Sequence, residues 1–259
     1  MKILLTGHRG FIGKHMLNAL HNHTVTTFEW GEDYPNIKGL DWVIHMGANS
    51  STTETNIEKI MTQNYDFSVW LLNECVKHNV NLQYSSSASI YGLKKEFTED
   101  SPVDPRTPYA WTKYMFERYA NQLPKNIIVQ GFRYFNVYGT GQEHKIGNAS
   151  PHHNFKEQAI NNGIIKLFEC EVHPARDFVP VEYVVGIHLK FLKIVESGIY
   201  NVGTGVATSF YSIACEIAEK YHAKIEFVPM PNILKHSYQT YTCADTTKLQ
   251  RILKENSNE

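Results

Sequence analysis

The feature that most constrains the fold is a loop with three evenly spaced glycines near the start of the chain. A short apolar strand is predicted over Lys2–Thr6, then Gly7, Gly10 and Gly13 follow, and a helical pattern of apolar residues begins at Phe11. Glycines in such a loop let backbone amides approach a pyrophosphate closely, and the helix N-terminus favours its negative charge. The loop therefore predicts a dinucleotide site in which the N-terminus of the helix faces the phosphates.

The remaining chain alternates strand and helix patterns, which is typical of a doubly wound parallel sheet. Only about a dozen residues separate the second and third strands, too few for a helix. We therefore predict an α/β fold, a shortened Rossmann-type doubly wound parallel sheet with a small α/β substrate-binding region. Further strands are predicted at Thr24–Phe28, Trp42–His45, Asn81–Ser85, Ile127–Arg133, Lys166–Glu169, Phe178–Val179, Tyr200–Val202 and Lys224–Val228, and helices at Ile57–Lys77, Tyr109–Leu123, His153–Asn161, Val181–Val195 and Ser209–Tyr221.

The chain is expected to divide into two regions. Residues 140–176 are less regular and rich in His, Asn and Gly, which favours a role on the substrate side. We predict an NAD(P)-binding Rossmann domain made of residues 1–139 and 177–203, and a smaller substrate-binding region made of residues 140–176 and 204–259. The polar tail after Thr247 is expected to fray.

The charge balance and the apolar segments exclude several classes of partner. The chain has 25 Lys and Arg against 26 Asp and Glu, and no basic run exceeds Lys94-Lys95, so no nucleic-acid groove is expected. No apolar stretch reaches the roughly 18–20 residues of a membrane span, so we predict a cytoplasmic protein without membrane contact. The four cysteines lie far apart and the histidines lack metal-ligand spacing, so neither disulfides nor a bound metal is expected.

The residue that ends the second strand bears on cofactor choice. Glu29 follows the glycine loop by about 20 residues, where a carboxylate binds the 2′-hydroxyl of an adenosine ribose and repels a 2′-phosphate. This position favours NAD. Arg9 lies within the loop and could neutralise a 2′-phosphate, so the sequence leaves both NAD and NADP open.

Three polar residues predict redox chemistry at a carbinol or carbonyl. Tyr109 and Lys113 lie one turn apart on a predicted helix, and Ser87 ends a strand 22 residues before the tyrosine. A nearby ammonium group is expected to lower the pKa of the phenol, which makes Tyr109 a usable acid and base. The Ser87 hydroxyl could hold the substrate oxygen.

Longer segments of the sequence resemble the extended short-chain dehydrogenase/reductases, within them the NAD-dependent epimerase/dehydratase family of nucleotide-sugar enzymes. GHRGFIG, SSSASIYG, YAWTK, RDFVPVEYV and NVGTG carry this resemblance over residues 1 to about 247. The greatest similarity is to the ADP-heptose 6-epimerases, through GANSSTTE, QNYDFS, GFRYFNVYG, NNGIIKLFE, ARDFV and YQTYTCADTTKL. The resemblance implies a nucleotide-sugar substrate and a homo-oligomer.

The resemblance also implies a mechanism and a set of site residues. A sugar carbinol would be oxidised to a ketone and reduced again from its opposite face, with Tyr109 serving one face and Lys145 the other. Lys113 would also hold the nicotinamide ribose. The implied cofactor residues are Gly7, Gly10, Phe11, Ile12, Gly13, Glu29, Met46, Gly47, Ala48, Ser50, Asn64, Tyr109, Lys113 and Val137. The implied substrate residues are Ser87, Asn136, Asn154, Phe168, Glu169, Arg176 and Tyr238, with Arg176 as the diphosphate partner.

Other functions fit parts of the same pattern. A nucleotide-hexose 4-epimerase and an epimerase/reductase similar to GDP-fucose synthase share the motifs, and GHRG resembles the glycine loop of the latter. A 4,6-dehydratase is disfavoured because Ala88-Ser89 follow Ser87 where that class usually has an acid pair. A cofactor-binding protein without turnover is the alternative outside enzymes, and retention of Ser87, Tyr109, Lys113 and Lys145 argues against it.

Overall fold

The computed structural model describes residues 1–51, 54–123, 126–142, 150–231 and 238–257, and it has the predicted alternation of strands and helices. The strands are β1 (Lys2–Thr6), β2 (Thr24–Phe28), β3 (Trp42–His45), β4 (Asn81–Ser87), β5 (Val129–Tyr134), β6 (Asn136–Tyr138), β7 (Ile164–Phe168), β8 (Ala175–Pro180), β9 (Gly198–Val202), β10 (Ala207–Ser209), β11 (Lys224–Val228) and β12 (Tyr241–Thr242). The helices are α1 (Phe11–Ala19), α2 (Ile57–Ile60), α3 (Phe67–His78), α4 (Pro108–Gln122), α5 (Pro151–Asn162), α6 (Val181–Phe191), α7 (Phe210–Tyr221) and α8 (Thr247–Glu255).

A six-stranded parallel sheet forms the centre of the fold. Its strands lie in the order β2-β1-β3-β4-β5-β9, so the chain leaves β1 on one side for β2 and then crosses to the other side for β3. The carboxyl ends of β1 and β3 therefore face a crevice at the switch point, which is where ligands bind in open α/β sheets. The fold-class prediction is confirmed, including the shortened edge, since no helix forms between β2 and β3.

The helix predicted over Ile57–Lys77 contains an irregular stretch. Six residues, Met61–Asp66, form a π-helix between α2 and α3. Such stretches often lie at functional sites because the extra residue per turn reorients a side chain. Here Asn64, in this stretch, is buried and bonds to the backbone of Asn49 through both of its side-chain polar atoms, at 2.7 and 3.0 Å.

A smaller layer packs beside the carboxyl edge of the central sheet. In it β7 pairs with β11, and β8 pairs with β6, β10 and β12. Helices α5 and α7 cover this layer through a cluster that includes Phe155, Phe178 and Ile213. The sequence does not predict β6, β10 and β12, because strands of two or three residues are too short to show an alternating pattern of apolar residues.

The expected fraying of the tail is wrong. Helix α8 buries Leu249 and Ile252 completely, in a cluster with Phe132 and Val179 of the central region. Its apolar residues Leu249, Ile252 and Leu253 lie three and four positions apart from the first and so fall on one face, while its other positions are polar. The division of the chain into two regions stays a prediction. Within the described residues, no helix is long and apolar enough to cross a membrane.

Candidate active site

The glycine loop forms a tight cradle at the carboxyl end of β1. Gly7 has a φ of +73°, and an added Cβ would lie 2.5 Å from the backbone nitrogen of Gly47. A Cβ on Gly13 would lie 1.9 Å from the carbonyl oxygen of Gly7, so only glycine lets α1 pack this close to the loop. The residues present therefore fit a dinucleotide, whose pyrophosphate needs bare backbone at the N-terminus of a helix.

Two cavities flank this cradle. The first has a volume of about 410 Å³ and is lined by Thr6, Gly7, Gly10, Phe28, Glu29, Trp30, Met46, Gly47, Ala48, Asn49, Lys59, Gln63 and Phe67. The second has about 230 Å³ and is lined by Gly7, Gly10, Phe11, Ile12, Gly13, Met46, Ala48, Ser50, Ser85, Ser86, Tyr109, Lys113 and Tyr134. Because both include Gly7, Gly10, Met46 and Ala48, they form the two ends of one groove across the glycine loop.

The groove brings together twelve of the fourteen residues suggested for the cofactor. Asn64 lies behind the wall and acts through Asn49, whose backbone it holds. Val137 packs in the core against α1 and α6. Sequence reasoning missed Trp30, Phe67 and Tyr134, since aromatic residues between apolar neighbours are more commonly core residues.

The Glu29 carboxylate lies beside the backbone N–H of Arg9 and the imidazole ring of His8. Its Oε1 accepts a hydrogen bond from the backbone nitrogen of Arg9 at 2.6 Å and lies 3.4 Å from Nδ1 of His8. The guanidinium of Arg9 points elsewhere and donates to Oε1 of Glu32 at 3.3 Å. The one Arg in the glycine loop is thus already paired with the carboxylate of Glu32, and the carboxylate of Glu29 lines the first cavity directly after β2.

Helix α4 presents the predicted phenol and ammonium groups to the second cavity. Thr107 caps the helix by accepting from the backbone nitrogen of Ala110 at 3.2 Å, and Pro108 occupies the first turn, where its missing N–H costs nothing. Tyr109 and Lys113 then lie one turn apart on the face toward β4. The ammonium group donates to the carbonyl oxygen of Ser85 at 2.9 Å, and Nζ lies 5.8 Å from the centroid of the Tyr109 ring.

The expected lowering of the phenol pKa does not occur in the chain by itself. Burial raises the pKa of Tyr109, and a hydrogen bond with Ser87 opposes this rise only in part. Lys113 is also buried, and burial lowers its pKa to about 8 while the nearby Glu117 carboxylate raises it. Desolvation disfavours both the phenolate form of Tyr109 and the ammonium form of Lys113. The pKa of the phenol is therefore not lowered, contrary to what the spacing predicted. Ser87 and Tyr109 are thus within hydrogen-bond distance of each other, and the role of Ser87 toward a substrate stays a prediction.

A buried chain of hydrogen bonds joins the glycine-loop side to α4. Nδ1 of His45 lies 2.7 Å from Thr6 Oγ1, and its Nε2 lies 2.8 Å from Ser68 Oγ. The Ser68 hydroxyl donates to the carbonyl of Asn64, whose side-chain amide donates to Thr112 Oγ1 at 3.2 Å. Burial lowers the pKa of His45 to about 3, with a further lowering by Lys113, so the chain of bonds carries no charge near neutral pH.

A second phenol, that of Tyr134, lies in the same cavity at the end of another buried chain. Its oxygen is 2.5 Å from Nε2 of His188, whose Nδ1 is 2.8 Å from Oε1 of Gln83. Gln83 Nε2 donates to Gln130 Oε1 at 3.0 Å, so Gln83 Oε1 accepts and His188 Nδ1 carries the proton. Burial lowers the pKa of His188 to about 3. Tyr134 therefore donates to His188 and offers only lone pairs to a ligand.

The smaller layer brings three of the predicted substrate residues together. The Arg176 guanidinium lies 5.7 Å from the centroid of the Tyr238 ring, and Tyr238 meets Phe168 edge-on at 6.2 Å. Arg176 donates to the carbonyls of Ala175, at 3.0 Å, and Gln239. Burial lowers the pKa of Arg176, so this buried cation favours an anionic ligand.

The other predicted substrate residues are more dispersed. Asn136 lies on β6 and is half-buried, and Asn154 lies in α5. Glu169 follows β7 with an exposed side chain, and its backbone nitrogen donates to Val228 O. Lys145, predicted to act on the second face of the sugar, lies outside the described residues.

The chain resembles proteins of known activity over most of its length. The family model described as Epimerase, NAD dependent epimerase/dehydratase family, matches residues 24–203. Helicobacter pylori ADP-L-glycero-D-manno-heptose-6-epimerase is similar, with a TM-score of 0.87 and 25% identity, over 98% of this chain and 90% of that one.

Two 4-epimerases share the fold. UDP-N-acetylglucosamine 4-epimerase from Methanobrevibacter ruminantium, in complex with UDP-N-acetylmuramic acid, has a TM-score of 0.86 and 21% identity, over 97% of this chain and 91% of that one. Thermus thermophilus UDP-glucose 4-epimerase in complex with NAD has a TM-score of 0.79 and 24% identity, over 97% and 92%.

Proposed function

Because the chain belongs to the NAD dependent epimerase/dehydratase family, we propose that it is an NAD-dependent epimerase of a nucleotide-activated sugar, with an ADP-heptose as its substrate and C6 as the carbon inverted. The family consists of enzymes that use a nicotinamide dinucleotide, so the predictions of an enzyme and of this cofactor are confirmed. We place the enzyme in the cytoplasm, in keeping with the sequence analysis.

One observation carries the proposal. The cavity that contains Tyr109 and Lys113 is continuous with the glycine cradle. A phenol able to exchange a proton therefore lies beside the place where the loop geometry favours a pyrophosphate. An ordinary surface Tyr/Lys pair would be solvated and would have no reason to line such a groove.

The residues of the chain have distinct tasks in the proposed reaction. Bound NAD supplies a reversible hydride acceptor for the sugar carbon. The deprotonated oxygen of Tyr109 takes the proton from the substrate hydroxyl as the ketone forms, while the Ser87 hydroxyl donates a hydrogen bond that holds the substrate oxygen. Lys113, held by Ser85 O, places a positive charge beside the phenol and stabilises its deprotonated form during the transfer. Lys145 is proposed to handle the proton on the opposite face.

The charges at the first cavity support NAD over NADP. Glu29 offers a carboxylate to ribose hydroxyls, and Glu32 occupies the guanidinium of Arg9. A 2′-phosphate would meet two carboxylates and a cation that is already paired. We therefore expect weaker binding of NADP than of NAD.

The substrate end of the site supports an anionic nucleotide sugar. Arg176 is buried beside the rings of Tyr238 and Phe210 and provides a planar donor for a diphosphate. The segments that contribute Phe168, Arg176 and Tyr238 resemble those of the heptose 6-epimerases, which is the basis for choosing ADP-heptose among nucleotide sugars.

The substrate assignment can be tested by following configuration directly. The purified protein with NAD is incubated with ADP-D-glycero-manno-heptose, and the configuration at C6 is followed by NMR, with UDP-glucose and GDP-linked 4-keto-6-deoxymannose in parallel samples. We expect inversion at C6 of the heptose only. Inversion at C4 of UDP-glucose, or NADPH-dependent conversion of the GDP sugar, would replace this substrate by one of the two alternatives.

The role of Tyr109 has its own test. Tyr109→Phe removes the exchangeable proton and should lower turnover about a thousandfold, within the range of general acid–base catalysis, while NAD binding stays unchanged. Tyr114→Phe, on the same helix but lining an outer groove, is the matched control and should retain activity. Equal activity of Tyr109→Phe and the wild type would contradict the assignment.

A further inference from the structure

The segment between β2 and β3 builds an aromatic cluster where a helix would otherwise stand. Phe67 of α3 is stacked on Phe28 at 4.9 Å and on Trp70 at 5.6 Å, and Tyr34 lies 4.4 Å from the Trp70 ring centroid. Trp30 meets Phe67 edge-on at 5.9 Å with an interplanar angle of 87°. Rings from the loop are therefore anchored on α3, and the shortened loop has a fixed partner.

The backbone holds Trp30 at the tip of a closed turn. Glu32 N donates to Glu29 O at 3.2 Å, and Glu29 N donates to Oε2 of Glu32 at 2.9 Å. Gly31 has a φ of +101°, which other residues rarely adopt, and space around it is open. These contacts place the indole next to Glu29, the residue proposed to bind the adenosine ribose.

The Trp30 side chain is exposed although it packs against Phe67. Its relative exposure is 45%, and it lines the first cavity together with Phe28 and Gln63. A large ring held at the wall of a groove offers a flat apolar surface at little cost in conformational entropy. The Gln63 amide supplies a donor and an acceptor, which match the N6 and N7 edge of adenine.

We infer that Trp30 forms the base-binding wall for the adenine of the dinucleotide, as a substitute for the helix that this chain lacks between β2 and β3. The inference rests on the proposed function, since it assumes that the groove holds NAD. It assigns the adenine half to the first cavity and leaves the nicotinamide half to Tyr109 and Lys113. Removal of the indole should therefore weaken only the adenosine half.

The test measures binding of the two halves of the cofactor separately. Protein freed of co-purified nucleotide is titrated calorimetrically with NAD, AMP and nicotinamide mononucleotide. Trp30→Ala should weaken NAD and AMP binding about tenfold, the size expected for one aromatic–base stack, and leave nicotinamide mononucleotide unchanged. Trp30→Phe, which keeps a ring, should stay within about threefold of the wild type.

The control is Trp111→Ala, which removes an equally exposed indole from α4, outside the groove. It should bind all three ligands as the wild type does, and thermal unfolding of each variant checks that the fold persists. Unchanged AMP binding in Trp30→Ala, or an equal loss for AMP and nicotinamide mononucleotide, would overturn the role of Trp30 alone. A wild type that binds neither AMP nor NAD would overturn the proposed function as well.

Discussion

At the residue scale, Lys113 shows how burial and charge compete within the site. The residue is 6% exposed, and its ammonium group donates to Ser85 O. Desolvation lowers its pKa to about 8, and the carboxylate of Glu117, one turn further along α4, raises it. Burial of the charged Lys113 therefore lowers the free energy of unfolding. Such a loss of stability is expected where a functional group lies in a packed region.

This conflict predicts a pH-dependent stability. Between pH 8 and the ordinary lysine value of 10.5, the unfolded chain binds a proton that the folded chain has released, so the free energy of unfolding contributed by Lys113 rises with pH. Below pH 8 the full cost of burying the charge is present. Lys113→Met should therefore be more stable than the wild type at pH 7, by roughly 3 kcal/mol, and inactive.

Urea unfolding at several pH values measures the effect. The advantage of Lys113→Met should shrink as the pH rises from 8 to 10.5, whereas the exposed Lys38→Met should differ little from the wild type at every pH. A pH-independent difference between Lys113→Met and the wild type would show that Lys113 is not deprotonated on folding in this range.

At the element scale, a buried ion pair joins helix α4 to the central sheet. Glu117 of α4 accepts from Nη2 and Nε of Arg133 on β5, at 2.7 and 3.0 Å. Ser86 of β4 donates to the same carboxylate at 2.5 Å, and Tyr91 accepts from Nη1 of the arginine at 2.9 Å. The contacts fix α4 relative to the end of β4, which carries Ser85 and Ser87.

Loss of this carboxylate should be severe. Glu117→Ala leaves the guanidinium of Arg133 buried without a counter-charge, which typically costs about 3–5 kcal/mol. Glu255→Ala removes a carboxylate from an exposed pair with Arg251, side chains of about half exposure, and should cost at most about 0.5 kcal/mol. Denaturant unfolding of the two variants makes the comparison.

A double variant shows how much of the stability loss in Glu117→Ala comes from the unpaired charge of Arg133 rather than from lost packing. Glu117→Leu combined with Arg133→Met should recover much of the stability lost in Glu117→Ala, because neither charge remains buried alone. If Glu117→Ala cost no more than Glu255→Ala, the ion pair would not anchor α4.

At the scale of the whole molecule, helices α2 and α4 leave an apolar groove on the outside. It has a volume of about 290 Å³ and is lined by Ile57, Ile60, Met61, Arg106, Thr107, Pro108 and Trp111. Ile57 and Trp111 are 55% and 49% exposed. Apolar side chains grouped in this way often mark a protein–protein interface, which favours the homo-oligomer expected from the sequence.

We expect Trp111→Glu to dissociate that oligomer, since a charge in an apolar interface has no partner. The molar mass is measured by light scattering after size exclusion. Val195→Glu adds the same charge at a position 80% exposed, four residues after the end of α6, and should leave the mass unchanged. A wild-type mass for Trp111→Glu would exclude this groove as the interface.

The sequence alone determined what depends on neighbours along the chain. The glycine loop lies between its strand and helix, and Tyr109 and Lys113 share a helix face, because backbone sterics and the helical repeat act over a few residues. The alternation of elements then implied a parallel sheet with its ligand groove at the switch point. Even the shortened edge followed from the count of residues between β2 and β3.

Only the tertiary structure decided which distant side chains meet and how charged they are. Glu117 pairs with Arg133, Tyr134 hydrogen-bonds to His188, and Trp30 packs edge-on against Phe67. These partners are 16 to 54 residues apart in the chain. Helix α8 is ordered because Leu249, Ile252 and Leu253 complete a core formed elsewhere. The pKa of Tyr109 is raised because of burial, and burial is a property of the packed molecule that no local spacing encodes.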